Sequence, residues 1–258
     1  MAKKWAAFPH PEKTYVHDLA GLKKNWARLH RGDCEPLPKE PGALDAWRHF
    51  HAGTFAEAVD AGRKAGGTGI HAAVKAQMIY ANYLEKSEKA KLALLEEAAD
   101  WADARRREDP NLANAHYFYA YALGRYSQGI SIAKALAQGY GGKIKDALNA
   151  AIKLEPKHAD AHTAYGSYQA EIIDKVGGLV AAMTYGAKKD SALEHFQKAL
   201  KLNPDSAIAR IEYANGLIML FGKTRIADAE KLYKDAAACK PADAMERLDV
   251  ELARSELE

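Results

Sequence analysis

Histidine at helical spacing is the first place to look for chemistry. His158 and His162 stand four residues apart in the segment HADAH, with Asp160 between them. An i, i+4 pair points to one side of a helix and could supply two ligands to a metal. His116 has the same phase as His162, six residues past a proline, so the three converge if neighbouring helices align. No third protein ligand stands at helical spacing, and seam histidines, hydrogen-bonded and neutral, are the favoured reading; no metal is expected. His49 and His51 are two apart and face different ways. Cys34 sits in a connector before Glu35 and a proline, where nothing nearby would lower a thiol pKa by much. The chain has no glycine-rich phosphate loop ending in Lys-Ser or Lys-Thr, no dinucleotide fingerprint, no nucleophile elbow and no zinc-protease signature. No catalytic residue and no cofactor is expected. A site assembled across several helices leaves no local motif, so an enzyme of that kind stays a lesser alternative.

A second concentration of polar side chains is harder to dismiss. Arg125, Tyr126, Ser127 and Gln128 precede the apolar stretch 129–142, and Glu171, Asp174 and Lys175 precede the apolar stretch 177–187. Arg125 and Glu171 each lie fifteen residues past a proline, Pro110 and Pro156, which suggests an ion pair between stacked units. Such a pair holds a register but adds little net stability. The stretches GISIAKALAQGYGG and GGLVAAMTYGA carry glycine at or beside both ends, with Ala, Ile, Leu, Val or Met between. Their composition predicts helical prolongations that touch each other through Ser131, Ala135, Ala181 and Ala182. They form a local second core, wall a pocket with Tyr126, Gln128, Asp174, Lys175, Met183 and Tyr185, or make a partner-binding surface.

The elements that must position these residues follow from composition. The chain has 258 residues, of which 52 are alanine and only 24 are Val, Ile or Thr together. That mixture favours helix over sheet. Hydrophobic residues at 48% and charged residues at 28% describe a globular chain with ample core. Two cysteines exclude a disulfide scaffold. The amino-terminal segment has no apolar run of a secretory signal, and no stretch is long enough to span a membrane, so a soluble cytoplasmic protein is expected. Residues 1–40 hold eight Lys/Arg against five Asp/Glu, and the remaining 218 carry 29 of each sign. A neutral body makes nucleic acid a poor partner.

Four prolines set a repeat. Pro110, Pro156, Pro204 and Pro241 are spaced by 46, 48 and 37 residues, each between helix-like segments. Twelve, eight and five residues before three of them stand Ile144, Leu148 and Ala151; Ala192, Phe196 and Ala199; and Ala229, Tyr233 and Ala236. Ten residues after Pro110, Pro156 and Pro204 come Ala120, Gly166 and Ala214. Small residues in phase let antiparallel helices approach, with the larger residue in the groove. The segment SALEHFQKALKLNP resembles the second helix of a tetratricopeptide repeat, and GTFAEAVDAGRKA resembles the same helix in a more divergent unit. A weaker likeness is to the regulator-of-microtubule-dynamics proteins, tetratricopeptide-like with an enlarged hairpin. The family unit is about 34 residues, and two intervals here exceed it by 12 and 14.

The resemblance implies an all-α, right-handed α-solenoid of antiparallel helix pairs. Residues 1–42 are expected to be an amphipathic helix (14–31) and a proline-rich connector packed on a repeat domain, 43–258. Its hairpins fall at about 43–66, 69–107, 112–154, 158–201 and 206–238, with a capping helix at 242–256. Within these, single helices are expected at 112–137 and 158–184. By family register the concave positions are Asn114, Tyr117, Tyr121 and Arg125; Asp160, Thr163, Ser167 and Glu171; and Ile208, Ile211, Asn215 and Met219. The resemblance therefore implies a scaffold binding a protein or peptide in a concave groove. The alternative is a small-ligand carrier with its pocket beside the 129–142 and 177–187 extensions. The apolar face of AMERLDVELARSEL caps the preceding hairpin or makes a homodimer.

Overall fold

The computed structural model describes residues 5–258, except the side chains of Ile132, Ala133 and Leu136; the apolar roles expected of those three lie outside the described residues. No strand occurs among the described residues. The helices are α1 (Leu19–Leu29), α2 (Pro41–Ala52), α3 (Phe55–Ala65), α4 (Gly69–Tyr83), α5 (Glu88–Glu108), α6 (Ala113–Gln128) and α7 (Ile132–Ala137). There follow α8 (Tyr140–Leu154), α9 (Ala159–Val176), α10 (Gly178–Val180), α11 (Lys189–Leu202), α12 (Ala207–Phe221), α13 (Ile226–Ala237) and α14 (Ala244–Ser255). The pairs α2/α3, α4/α5, α6/α8, α9/α11 and α12/α13 are antiparallel hairpins stacked in chain order. The first helix of each pair lines the inner face.

The proline register is visible in the packing. Ala192, Phe196 and Ala199 are fully buried, as are Leu148, Ala151, Ala229 and Ala236. Phe196 lies between two glycines, and a Cβ on Gly166 or Gly216 would come within 2.9 or 2.5 Å of its ring. The helix starts are built alike. His116 Nε2 meets the Pro110 carbonyl at 2.9 Å, His162 Nε2 meets that of Pro156 at 3.2 Å, and Arg210 donates to that of Pro204 at 2.7 Å. Each of these side chains stands six residues past its proline and ties the helix to the turn that precedes it. Side chains of Ser87, His158, Ser206 and Asp243 accept from backbone N–H groups in the first turns of α5, α9, α12 and α14.

The long helices expected at 112–137 and 158–184 are each broken. The chain leaves α6 at Gly129 and re-enters helix only at Ile132; after α9 it turns at Gly177, which has φ +79°. Residues Ala181–Tyr185 form a π-helical turn closed by Gly186 at φ +68°. A residue with a Cβ is strained at such φ values, so these glycines direct the chain back toward its own hairpin. Ala181 packs on Ala170, Ile173, Ala187 and Ala192, whereas Ala182 is exposed and does not face the other extension. Tyr185 instead covers Gly141 at the start of α8. The two insertions are therefore short turns that meet where Tyr185 covers Gly141, not paired helical prongs in contact through Ala182.

The stack is closed at its ends. The last helix packs on α12 and α13 and also reaches the first pair. His51 Nδ1 and Asp243 Oδ2 lie 2.7 Å apart, and Arg28 makes a two-pronged contact with Glu246 at 2.6 and 2.9 Å. Phe8 and Ala244 lie over Gly53. Leu248, Val250 and Ala253 of α14 are buried within the chain, while Leu257 is exposed.

Candidate functional site

Residues 30–35, between α1 and α2, enter the concave face and fill one end of it. The amide of Asp160 donates to the carbonyl of Gly32 at 3.0 Å, and a Cβ at position 32 would strike the Asp160 carboxylate. Lys75 Nζ donates to Asp33 Oδ2 at 2.6 Å, and His30 Nδ1 is 2.9 Å from Asp33 Oδ1. Glu35 takes His71 Nδ1 at 3.0 Å and the amide of Asn114 at 2.6 Å. Asn114 Oδ1 in turn accepts from His158 Nε2 at 2.8 Å, while His158 Nδ1 accepts from the Ala161 N–H. The ring therefore carries its proton on Nε2, and burial holds it near pKa 4. Burial alone would raise the Asp33 carboxyl, but Lys75 and His30 hold it well below the usual carboxylate range. Cys34 has φ +50°, and burial beside Glu155 and Asp33 pushes its thiol up to about 12.

Beyond this plug the concave face keeps a cavity of about 240 Å³. Its apolar wall comes from Met78, Ile79, Tyr117, Tyr121, Ile144, Tyr168, Ile172 and Met245, between α4, α6, α8, α9 and α14. Cross-contacts near its centre are polar. Arg125 donates to Glu212 Oε1 at 2.5 Å, Ser167 donates to Glu212 Oε2 at 2.8 Å, and Tyr83 donates to Asp249. The Arg125–Glu171 pair expected from repeat phase does not form. Helix α9 packs closely on α12 and barely touches α6, so the guanidinium reaches past α9 to Glu212 of α12, and Gln128 takes Glu171 instead, with Lys175 at 3.4 Å. Two polar atoms among the wall residues have no hydrogen-bond partner, Tyr168 Oη and Asn203 Oδ1, in side chains only 7% and 6% exposed.

The residues singled out in the sequence divide accordingly. Tyr117, Tyr121, Arg125, Asp160, Thr163, Ser167, Glu171 and Ile208 border the cavity; Ile211 and Asn215 border an adjoining recess of about 310 Å³. Asn114 is buried in the plug network, and Thr163 spends its hydroxyl on the Ala159 carbonyl. Gln128, Lys175 and Tyr185 also reach the cavity wall. Tyr126 is buried against Tyr140, Asp174 is exposed, and Met183 is 80% exposed, so these three do not wall a pocket. His116, His158 and His162 do not converge, because each ring serves its own contacts; His162 Nδ1 lies against His195 at 2.8 Å. Among the described residues no group of three His, Cys, Asp or Glu could hold a metal ion. Asp33, Lys75, Tyr83, Glu212 and Asp249 were not legible as site residues, since each lies far in sequence from its partner.

The profile of the family described as regulator of microtubule dynamics protein 1-3 matches residues 70–255. The chain belongs to this family. The matched span of this family member begins in α4 and ends in α14, so it takes in most of the cavity wall but not the 30–35 plug. A search of curated proteins finds no match. The crystal structure of a thermophilic TPR protein of Thermus thermophilus is similar, with TM-score 0.56 and 16% identity over 83% of this chain and 97% of that one. That likeness shows a tetratricopeptide-like helical-repeat fold. Among the described residues no helix is long and apolar enough to cross a membrane.

Two carboxyls of this family member sit beside the cavity with little to stabilise their charge. Burial pushes Asp249 up to about 8, against the Tyr83 hydrogen bond, and pushes Asp160 up to about 7 despite Lys75. A carboxyl raised on folding gives stability that is complete below its unfolded pKa and is lost as pH rises through the folded value. Asp249→Asn keeps an acceptor for Tyr83 and removes that loss. Urea unfolding at pH 5.5 and 8.5 should show the wild type weakening by on the order of 2–4 kcal/mol more than the variant. Equal weakening of both proteins would place the pH dependence elsewhere.

Proposed function

We propose that this chain is a non-enzymatic binding scaffold of the cytoplasm whose central cavity takes a small, elongated and largely apolar ligand. The largely apolar lining of the cavity is the observation that carries the reading. Residues 30–35 occupy one end of the concave face and α14 packs across the stack, and the wall between them is mostly apolar, which suits an elongated apolar molecule.

Filling the cavity tests this. Wild type should bind 1-anilinonaphthalene-8-sulfonate in the folded state, and Ala164→Trp, which places an indole in the wall, should weaken that binding about tenfold or more. Organic extraction of protein purified from its cells, followed by mass spectrometry, should recover an apolar molecule from the wild type only. Equal probe binding by a folded Ala164→Trp variant would overturn the assignment.

A second reading, capture of a partner protein, is favoured by the repeat fold and by the adjoining recess. Tyr121, Arg125, Gln128 and Asn215 border that recess, where a partner could insert one side chain.

A further inference from the structure

Because the first helices of the pairs run parallel, α6, α9 and α12 all finish at one edge of the stack, and α8, α11 and α13 begin there. The connections at this edge touch one another. Tyr185 lies over Gly141, Gly186 lies 3.4 Å from Lys145 Nζ when given a Cβ, and Lys189 and Arg225 both sit over the Phe221 ring. We propose that this edge docks on an anionic membrane surface, with Leu179, Val180 and Met183 entering the headgroup region.

Two independent observations support that occupant. The first is apolar exposure. Leu179 is 75% exposed, Val180 49% and Met183 80%, on the turn bounded by Gly177 and Gly186. Large apolar side chains so exposed and adjacent mark an interaction surface. The second is charge. Segments 129–146, 174–190 and 222–228 contain eight Lys/Arg against four Asp, at 146, 174, 190 and 228. The whole chain has 37 basic and 34 acidic residues, so everything outside these segments carries 29 against 30 and the excess of positive charge lies at this edge. Lys143, Lys145, Lys188 and Lys223 have no carboxylate partner among the described residues; Lys175 meets Glu171, and Arg225 meets Asp228 at the border of the patch. An acidic protein surface would satisfy the lysines and leave the apolar turn in water. The interfacial layer of an anionic bilayer receives both, lysines at the phosphates and the three apolar side chains among the upper acyl carbons. The inference rests on this edge alone and stands whether or not the cavity holds a ligand.

Cosedimentation of the full chain with two vesicle types tests it. One is phosphatidylcholine alone; the other contains about one third phosphatidylglycerol. Wild type should sediment with the anionic vesicles, release as salt is raised, and ignore the neutral ones. Leu179→Asp/Met183→Asp and Lys143→Glu/Lys188→Glu change exposed side chains only, and each pair should lower partitioning about tenfold or more. Met183→Trp should shift its emission to the blue when anionic vesicles are added. Failure of wild type to bind, or binding that survives both double variants in folded form, would overturn the proposal. Binding to poly-glutamate but not to vesicles would also overturn it, in favour of an acidic protein partner.

Discussion

Replacing Asp33 with alanine should cost about 3–5 kcal/mol, among the largest effects of any single change in this chain. Asp33 is 1% exposed and Lys75 5%, so the variant strands a buried ammonium group without its hydrogen-bonded carboxylate. His30 loses the same partner and the Glu35 amide loses an acceptor at 3.3 Å. Urea unfolding near neutral pH measures the loss as a lowered midpoint. The pH dependence has a definite sign. Asp33 is depressed on folding, so its contribution is present above the unfolded carboxyl pKa and fades as pH falls toward the folded one. The wild type should therefore lose its advantage over Asp33→Ala in acid. A variant within about 0.5 kcal/mol of wild type would show that residues 30–35 leave the concave face in solution.

Phe196→Ala should cost about 3–5 kcal/mol for a different reason. The ring is fully buried, stacks on Tyr213 at 5.1 Å, and fills a slot whose two walls are glycines. Glycine at 166 and 216 leaves no Cβ to relax into the space, so the cavity would persist. Differential scanning calorimetry should show a lower transition temperature, and far-ultraviolet circular dichroism an undiminished helix content before melting. Collapse of α9 and α12 onto each other, with a small loss, would mean that the slot is compliant.

Phe196 also marks what was readable from the sequence. Its position between Ala192 and Ala199, and the phase of Gly166 past Pro156, are local patterns that recur, and recurrence makes a helical repeat legible. The shared proline contacts of His116, His162 and Arg210 have the same origin, although sequence alone could not distinguish the two histidines from ligands. The breaks at Gly129 and Gly177 were misread because apolar composition indicates burial or helix without saying where the axis turns. Equal phase pairs Arg125 with the wrong carboxylate because it assumes evenly stacked units, whereas α9 packs closely on α12 and barely touches α6. The plug was illegible. Asp33, Glu35 and Asp243 find partners 42, 79 and 192 residues away, and no spacing rule connects them.

The contact of α14 with the first helix pair changes how the array can come apart. In an open solenoid each unit leans only on its neighbours, so the outermost units fray first and the array melts from its ends. Here the terminal units share His51–Asp243 and Arg28–Glu246, so neither is outermost. Removing any one hairpin breaks two interfaces instead of one, and partial unravelling has no low-cost starting point. A chain of repeats joined in this way responds to stress as one cooperative body, its ends tied by contacts between residues 192 and 218 apart in sequence.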